Sequence, residues 1–141
     1  MDLLERARAL AACPLFGGLA PAVVVRLAER ARADTLERGE RRTTDDTVWV
    51  VAAGSLAVAV REHRGDVATA SLVRKRGAGA TTGTALGVIR IVRPATPPIE
   101  VVAETTSVLI GLAADDVRDV LDEDPAALTA LADRLAALLM S

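Results

Sequence analysis

The residues best suited to chemistry lie between Gly77 and Gly87, a segment that holds four glycines. Backbone N–H groups in a glycine-rich turn can surround a phosphate, because they form a concave donor surface for an anion. The same glycines would also suit a connection that merely lets two stretches of backbone approach closely. No Gly-Lys-Ser/Thr follows, so the segment lacks the signatures of phosphate-loop and dinucleotide-binding enzymes. The composition leaves a phosphate cradle and a plain connection as alternatives.

Other reactive side chains are isolated in the sequence. Cys13 is the single cysteine, so no disulfide can form within the chain, and its setting before Pro-Leu-Phe indicates a small buried hydrophobe. His63 is the single histidine and lies in a polar turn, so no zinc site and no relay to a nucleophile is predicted. The basic run Arg74 to Arg76 favours a solvated strand edge over a phosphate or nucleic-acid contact. These patterns predict a non-catalytic protein without a metal.

Composition and charge indicate an aliphatic core and a nearly neutral surface. The 141 residues are 51% apolar, yet they include one Phe, one Trp and no Tyr, so Val, Leu, Ala and Ile must build the core. The formal net charge of −2 gives no basic face for nucleic acid. No apolar run is long enough to span a membrane, and the N-terminus does not read as a signal peptide. We expect a soluble, cytoplasmic domain.

The spacing of apolar residues predicts helices at both ends of the chain. Residues 2–12 repeat at helical intervals behind Asp2, which can cap them, and a second helix begins near Pro21. Near the other end, one helix is expected to start at Ala114 and another after Asp124, a cap followed by proline.

Between these helices the apolar residues alternate, as they do in strands. The region from Thr35 to Leu112 predicts seven or eight strands, with a tight turn at Gly54 and a hairpin whose turn is 63–66. We therefore expect a single α+β domain over 1–141, an antiparallel β-roll or jelly-roll barrel flanked by helices. Its predicted parts are N-terminal helices over 1–34, the β-roll over 35–112 and C-terminal helices over 114–140.

Several short motifs, in this order, resemble the cyclic-nucleotide-binding domain family, as in the effector domain of catabolite activators. They are Cys13-Pro14-Leu15-Phe16 with Gly18-Leu19, then Gly39-Glu40, then Trp49-Val50-Val51-Ala52-Ala53-Gly54-Ser55-Leu56-Ala57-Val58, and finally Asp124-Pro125. The resemblance covers nearly the whole chain. It implies a β-roll that binds cyclic AMP or cyclic GMP and a last helix that responds to the ligand or forms dimers.

The family's ligand cassette reads roughly Gly-Asp-x-Phe-Gly-Glu and, after a gap, Arg-Ser/Thr-Ala-x-Val-x-Ala. Its glutamate takes the ribose hydroxyl and its arginine pairs with the cyclic phosphate, a charge-assisted contact that suits a guanidinium. Here Thr84 stands in place of the glutamate and Pro97 in place of the arginine. By resemblance, the ligand-binding residues would be Gly79, Thr82, Gly83, Thr84, Ala85 and, as substitute cations, Arg90 and Arg93.

Two functional hypotheses follow from this departure. The first is a non-catalytic regulatory or interaction domain in which cyclic-nucleotide binding is weak or lost. The alternative is a working sensor of cyclic AMP, cyclic GMP or another nucleotide that uses the atypical contacts. The leucines of the last helix, from Leu128 to Leu139, are a candidate surface for a homodimer or a partner protein, with packing over the roll as the equal alternative. Neither nucleic acid nor a membrane is an expected partner.

Overall fold

The computed structural model describes residues 1–60, 73–91 and 99–140. Within them the chain forms four α-helices, eight strands and one 3₁₀ turn. The helices are α1 (Leu3–Ala12), α2 (Pro21–Arg30), α3 (Ala114–Asp122) and α4 (Pro125–Met140), and the 3₁₀ turn is Val88–Ile91. The strands are β1 (Arg32–Leu36), β2 (Arg41–Thr44), β3 (Thr47–Ala53), β4 (Ser55–Val60), β5 (Val73–Thr81), β6 (Ala85–Leu86), β7 (Ile99–Ala103) and β8 (Ser107–Ala113).

The strands form two antiparallel sheets of four strands each. One sheet has the order β1-β8-β3-β6 and the other has the order β2-β7-β4-β5. This α+β architecture, a β-roll flanked by helices, confirms the predicted fold class. The first strand begins at Arg32 and the last ends at Ala113, slightly outside the predicted limits of 35 and 112.

The two N-terminal helices begin and end where local chemistry requires. Asp2 caps α1, because its carboxylate oxygen accepts the Glu5 N–H at 2.8 Å. Pro21 opens α2 in the first turn, where its missing N–H costs nothing. The Arg6 Nε–H donates to the Ala28 carbonyl at 3.0 Å, so a side chain of α1 satisfies the last turn of α2.

Strand β3 is buried on both of its faces. Val48 and Val50 belong to a cluster under the helices, which also contains Phe16. Trp49 and Val51 belong to the opposite face and lie between the two sheets. This second group, the inter-sheet cluster, consists of Leu36, Trp49, Val51, Leu56, Ala80, Leu86, Val101, Ala103 and Leu109.

The glycine-rich segment differs from its prediction, which treated it as neither strand nor helix. Residues 77–81 are the last part of β5, which pairs with β4. The pairing is interrupted: Ala57 lies opposite Gly79 while Ala59 lies opposite Arg74, so β5 holds extra residues. Glycine is tolerated in such a bulged strand at the edge of a sheet, because the bulge interrupts the regular cross-strand pairing. The predicted hairpin at 63–66 lies outside the described residues.

The two C-terminal helices start as predicted. Asp124 caps α4 through the Ala127 N–H at 3.2 Å, with Pro125 in the first turn. In α3 no side chain caps the first turn, and Asp115 and Asp116 lie inside it, where carboxylates suit the helix dipole. In the described part of the chain, no helix is long and apolar enough to cross a membrane.

Candidate functional site

The candidate site is the glycine-rich loop, defined here as residues 79–91, which lies along strand β3. The Gly83 N–H donates to the Val51 carbonyl at 2.8 Å, and the Val51 N–H donates to the Thr84 carbonyl at 2.9 Å. Gly83 has a φ of +92°, a conformation that side chains rarely adopt. A glycine is therefore needed at the bend between β5 and β6.

The Thr84 side chain is engaged by its own turn. The Thr84 N–H donates to the Thr81 carbonyl at 3.0 Å, and the Thr84 hydroxyl oxygen accepts the Thr81 N–H at 3.2 Å. These two bonds close the turn between β5 and β6. The hydroxyl thus stabilises the loop itself, and the Thr81 amide is already engaged by it.

One buried threonine organises the far side of the loop. Thr44 is fully buried on β2, and its hydroxyl accepts the Ile99 N–H at 3.0 Å and donates to the Ile99 carbonyl at 3.2 Å. Gly87 lies against it with a φ of +74°, and a Cβ there would be 3.4 Å from the Thr44 Cβ and 3.0 Å from the Thr47 carbonyl. Thr44 therefore holds the start of β7 and leaves room only for glycine at the end of β6.

The end of the loop is held from the opposite side. Arg118 of α3 donates from Nη1 to the Ile91 carbonyl at 3.3 Å, and it also pairs with Asp115. Ile91 itself is buried under the helices. As a result, α3 fixes the last described residue of the loop and Thr44 fixes the first residue of the next strand.

The electrostatic setting of the bend is unfavourable for an anion. A Cβ built on Gly83 would lie 3.7 Å from the carbonyl oxygen of Ala12, the last residue of α1. The carbonyl end of a helix carries partial negative charge. A phosphate beside Gly83 would therefore meet that charge in addition to the loop amides.

The structure places the predicted site residues as follows. Gly79, Thr82, Gly83, Thr84 and Ala85 lie together on one continuous stretch, with Gly79 opposite Ala57 and Ala85 opposite Val50. Arg90 lies in the 3₁₀ turn, whereas Arg93 and Pro97 fall outside the described residues. The described residues contain no group of three or more His, Cys, Asp or Glu side chains that could hold a metal ion.

Thr44 and Arg118 were missed by the sequence analysis. Thr44 contacts a residue 55 positions away, and Arg118 contacts one 27 positions away. Neither lies in a recognisable motif, so only the three-dimensional pairing of β2 with β7 and of α3 with the loop identifies them.

Comparisons place this arrangement among known folds. No protein-family model matches the sequence, and a search of curated proteins gives no match. Solved structures superpose closely: a Ruegeria pomeroyi protein assigned to the cyclic-nucleotide-binding proteins is 16% identical, with a TM-score of 0.76 over 99% of this chain and 61% of its own. The sensor domain of the transcriptional regulator DNR from Pseudomonas aeruginosa is 14% identical, with a TM-score of 0.72 over 98% and 92%. The chain has the fold of a cyclic-nucleotide-binding domain.

A third neighbour is a regulatory subunit of a cAMP-independent protein kinase A from Trypanosoma brucei, 20% identical with a TM-score of 0.62 over 86% of this chain and 47% of that one. The structure is of a triple mutant, with a threonine-to-arginine change among its substitutions, bound to cAMP in the A site. These structural neighbours of the cyclic-nucleotide-binding fold are regulatory proteins. The present chain spans about three fifths of the Ruegeria protein and about half of the kinase subunit.

Proposed function

We propose that this chain is a non-catalytic regulatory domain in which cyclic-nucleotide binding by the usual contacts is weak or lost. The observation that carries the proposal is the bond from the Thr81 N–H to the Thr84 hydroxyl, because the residue in the glutamate position serves the turn. The Thr84 side chain is also shorter than that of glutamate and has no carboxylate to accept a hydrogen bond from a ribose hydroxyl. The negative end of α1 next to Gly83 supports the same conclusion.

The size of the loss follows from the chemistry of the missing groups. A charge-assisted hydrogen bond contributes about 1.5–3 kcal/mol, so the absence of the arginine alone lowers affinity by roughly one to two decades. Because Thr84 replaces the glutamate as well, the deficit is larger. We expect no binding of cyclic AMP or cyclic GMP to the native chain at micromolar concentrations.

The test restores the two missing side chains. The double variant Thr84→Glu/Pro97→Arg should bind cyclic AMP at least about a hundredfold more tightly than the native chain, measured by calorimetry up to millimolar ligand. The Trypanosoma neighbour motivates the arginine, since a mutant carrying a threonine-to-arginine change is bound to cAMP. The matched control Thr82→Glu/Pro98→Arg adds the same charges one or two residues away and should gain nothing.

Micromolar binding by the native chain would overturn the proposal and favour a sensor that uses atypical contacts. In that case Arg90→Ala or Arg93→Ala should weaken the binding, because one of these arginines would be the substitute cation. Loss of affinity in either variant would identify the cation that replaces the cassette arginine.

We further propose that α4 joins a second copy of this chain, so that the domain acts through protein contacts. Leu131 is buried against the rest of the molecule, but Leu128 is 48% exposed and Ala132 and Ala136 follow it on the same side at intervals of four. Only Asp133 and Arg134 are charged within the helix. A symmetric dimer is the commonest way to cover such a face in a soluble protein.

Sedimentation equilibrium tests the dimer. The native chain should show a mass that rises with concentration, and Leu128→Lys should remain a monomer that is still folded by circular dichroism. Thr129→Lys adds the same charge at an exposed neighbouring position and should still dimerise. A native chain that stays monomeric at high micromolar concentration would exclude this role for α4.

A further inference from the structure

Two buried side-chain donors have no hydrogen-bond partner among the described residues: Arg42 Nε and Trp49 Nε1. Trp49 is 4% exposed and belongs to the inter-sheet cluster. Arg42 lies directly opposite Val101 in the pairing of β2 with β7, and Val101 is a member of the same cluster. Paired residues of antiparallel strands share a face, so Arg42 also faces the gap between the sheets. Unsatisfied buried donors are rare, so each of these two, one on either sheet, calls for an explanation.

Arg42 reaches across this gap to the other sheet. Its Nη2 lies 2.5 Å from Oδ2 of Asp34 on β1. Asp34 is opposite Leu109, another member of the inter-sheet cluster, and therefore faces inward as well. The ion pair joins the edge strands of the two sheets. Both side chains keep about a third of their surface exposed (35% and 36%), so part of the Arg42 side chain is open to solvent even though its Nε is buried.

The Asp34 contact uses only part of the guanidinium. Arginine offers Nε–H and Nη–H as a planar fork that fits the two oxygens of a carboxylate or a phosphate side-on. Asp34 takes the Nη2 side, while the buried Nε remains without a partner among the described residues. An oxyanion that spans both nitrogens would satisfy the group that Asp34 leaves unsatisfied.

We propose that Arg42 is an oxyanion site between the two sheets that binds a phosphate group, and that Asp34 is the internal carboxylate that competes for it. The phosphate group can come from free phosphate or from a nucleotide. This site lies outside the glycine-rich loop, on a different strand from every residue predicted for ligand binding. It therefore goes beyond the proposed function and does not depend on it.

The direct test removes the competing charge. Asp34→Asn keeps the size of the side chain, and it should bind inorganic phosphate about tenfold more tightly than the native chain at constant ionic strength. Trp49 is the single tryptophan and lies in the adjoining cluster, so its fluorescence reports the titration, and calorimetry checks the stoichiometry. Adding Arg42→Lys to Asp34→Asn should remove the gain, because lysine keeps the charge but lacks the fork.

Ligand comparison separates the two sources of phosphate. Cyclic AMP and inorganic phosphate that compete for one site, with adenosine inactive, would identify a nucleotide phosphate as an acceptable ligand. Phosphate binding without competition by cyclic AMP would restrict the site to the free ion. The pair Thr84→Glu/Pro97→Arg should leave phosphate binding at Arg42 unchanged, which keeps this test separate from that of the proposed function.

Equal phosphate affinity in the native chain and Asp34→Asn, with both folded by circular dichroism, would reduce the ion pair to a link between the sheets and overturn the proposal. If Asp34→Asn does not fold, the native chain and Arg42→Lys supply the comparison. Arg42→Lys should then bind millimolar phosphate about tenfold more weakly than the native chain. Equal binding by these two proteins would also reject the site.

Discussion

Gly54, at the turn between β3 and β4, combines two constraints on a single residue. Its φ is +100°, and a Cβ there would lie 2.3 Å from the Ser107 Oγ and 2.7 Å from the Ser107 Cα. Ser107 is fully buried, and its hydroxyl oxygen accepts the Ser55 N–H at 3.2 Å and donates to the Thr105 carbonyl at 2.9 Å. The turn therefore has no room for a side chain, and the serine beneath it cannot move without losing these bonds.

Gly54→Ala should lower the free energy of unfolding by about 3 kcal/mol or more, since positive φ and overlap with Ser107 both contribute. Gly39→Ala is the matched control, because Gly39 has a φ of +88° but nothing within 4 Å of a Cβ. It should cost only about 1–2 kcal/mol. Urea denaturation of both variants measures the difference, and equal losses would mean that Ser107 yields easily.

The Cys13 thiol is predicted to be unreactive in the folded protein. Cys13 is 1% exposed, and burial raises its pKa, although backbone hydrogen bonds at Leu15 and Phe16 oppose the rise. Because only the thiolate attacks alkylating reagents, iodoacetamide at neutral pH should label Cys13 at the rate of global unfolding. Rapid labelling without denaturant would show that the turn after α1 opens on its own.

For single residues, the sequence predicted backbone conformation and burial more readily than it predicted which residues are in contact. The positive φ of Gly54 and the burial of Cys13 were both predicted and are confirmed. The partner of Gly54 lies in β8, more than fifty positions away, and sequence spacing carries no information about such a contact. The same reason explains why Arg42 was not noticed beside Asp34, since their contact depends on the corner between two sheets.

Among the elements, strands β2 and β7 pair with each other, and the side chain of Thr44 adds hydrogen bonds at one end of the pair. Thr44 satisfies both backbone groups of Ile99 from within the protein interior. Thr44→Val keeps the shape of the side chain but removes the hydroxyl, so the partly buried backbone groups of Ile99 would lose a partner. We expect a loss of about 1–3 kcal/mol in the free energy of unfolding.

Thr43→Val is the control for this substitution, because Thr43 is the exposed neighbour on the same strand. It should change stability by less than about 0.5 kcal/mol. Hydrogen exchange adds a local measurement: the Ile99 amide should exchange faster in Thr44→Val alone. If both variants behave alike, the hydroxyl does not hold this end of the strand pair.

The helices were predictable from sequence, whereas the glycine-rich stretch was not. Each helix shows an apolar repeat near 3.6 residues, and α1, α2 and α4 also have a cap or a proline at their start. Strand β5 carries two glycines and a bulge, so its sequence lacks the alternation by which strands are recognised. Pairing with β4 determines its conformation, and that pairing is a property of the sheet.

Across the whole molecule, β3 and β8 join the two apolar clusters. Alternate residues of these strands contribute to the cluster under the helices and to the inter-sheet cluster. A loss of packing in one cluster would therefore disturb strands that also form the other cluster.

We expect thermal unfolding in a single transition. Trp49 fluorescence reports the inter-sheet cluster and far-ultraviolet circular dichroism reports the helices, and their midpoints should coincide. Leu56→Ala and Leu27→Ala each remove a fully buried side chain from one cluster, and each should lower the common midpoint at a cost of about 2–5 kcal/mol. Leu128→Ala, at a position exposed in the single chain, should have little effect at concentrations where the protein is monomeric. Separate midpoints would reveal two independent units.

The anchors at Ile91 and Ile99 have a practical consequence for protein engineering. Arg118 and Thr44 hold these two residues from different elements, and neither contact involves a residue between them. A foreign peptide grafted between the anchors would thus begin and end at fixed points on a rigid frame. Each doubling of a flexible graft costs only about 0.6 kcal/mol in closure entropy. Ile91 and Ile99 are therefore two fixed points to which the ends of a grafted peptide can be joined.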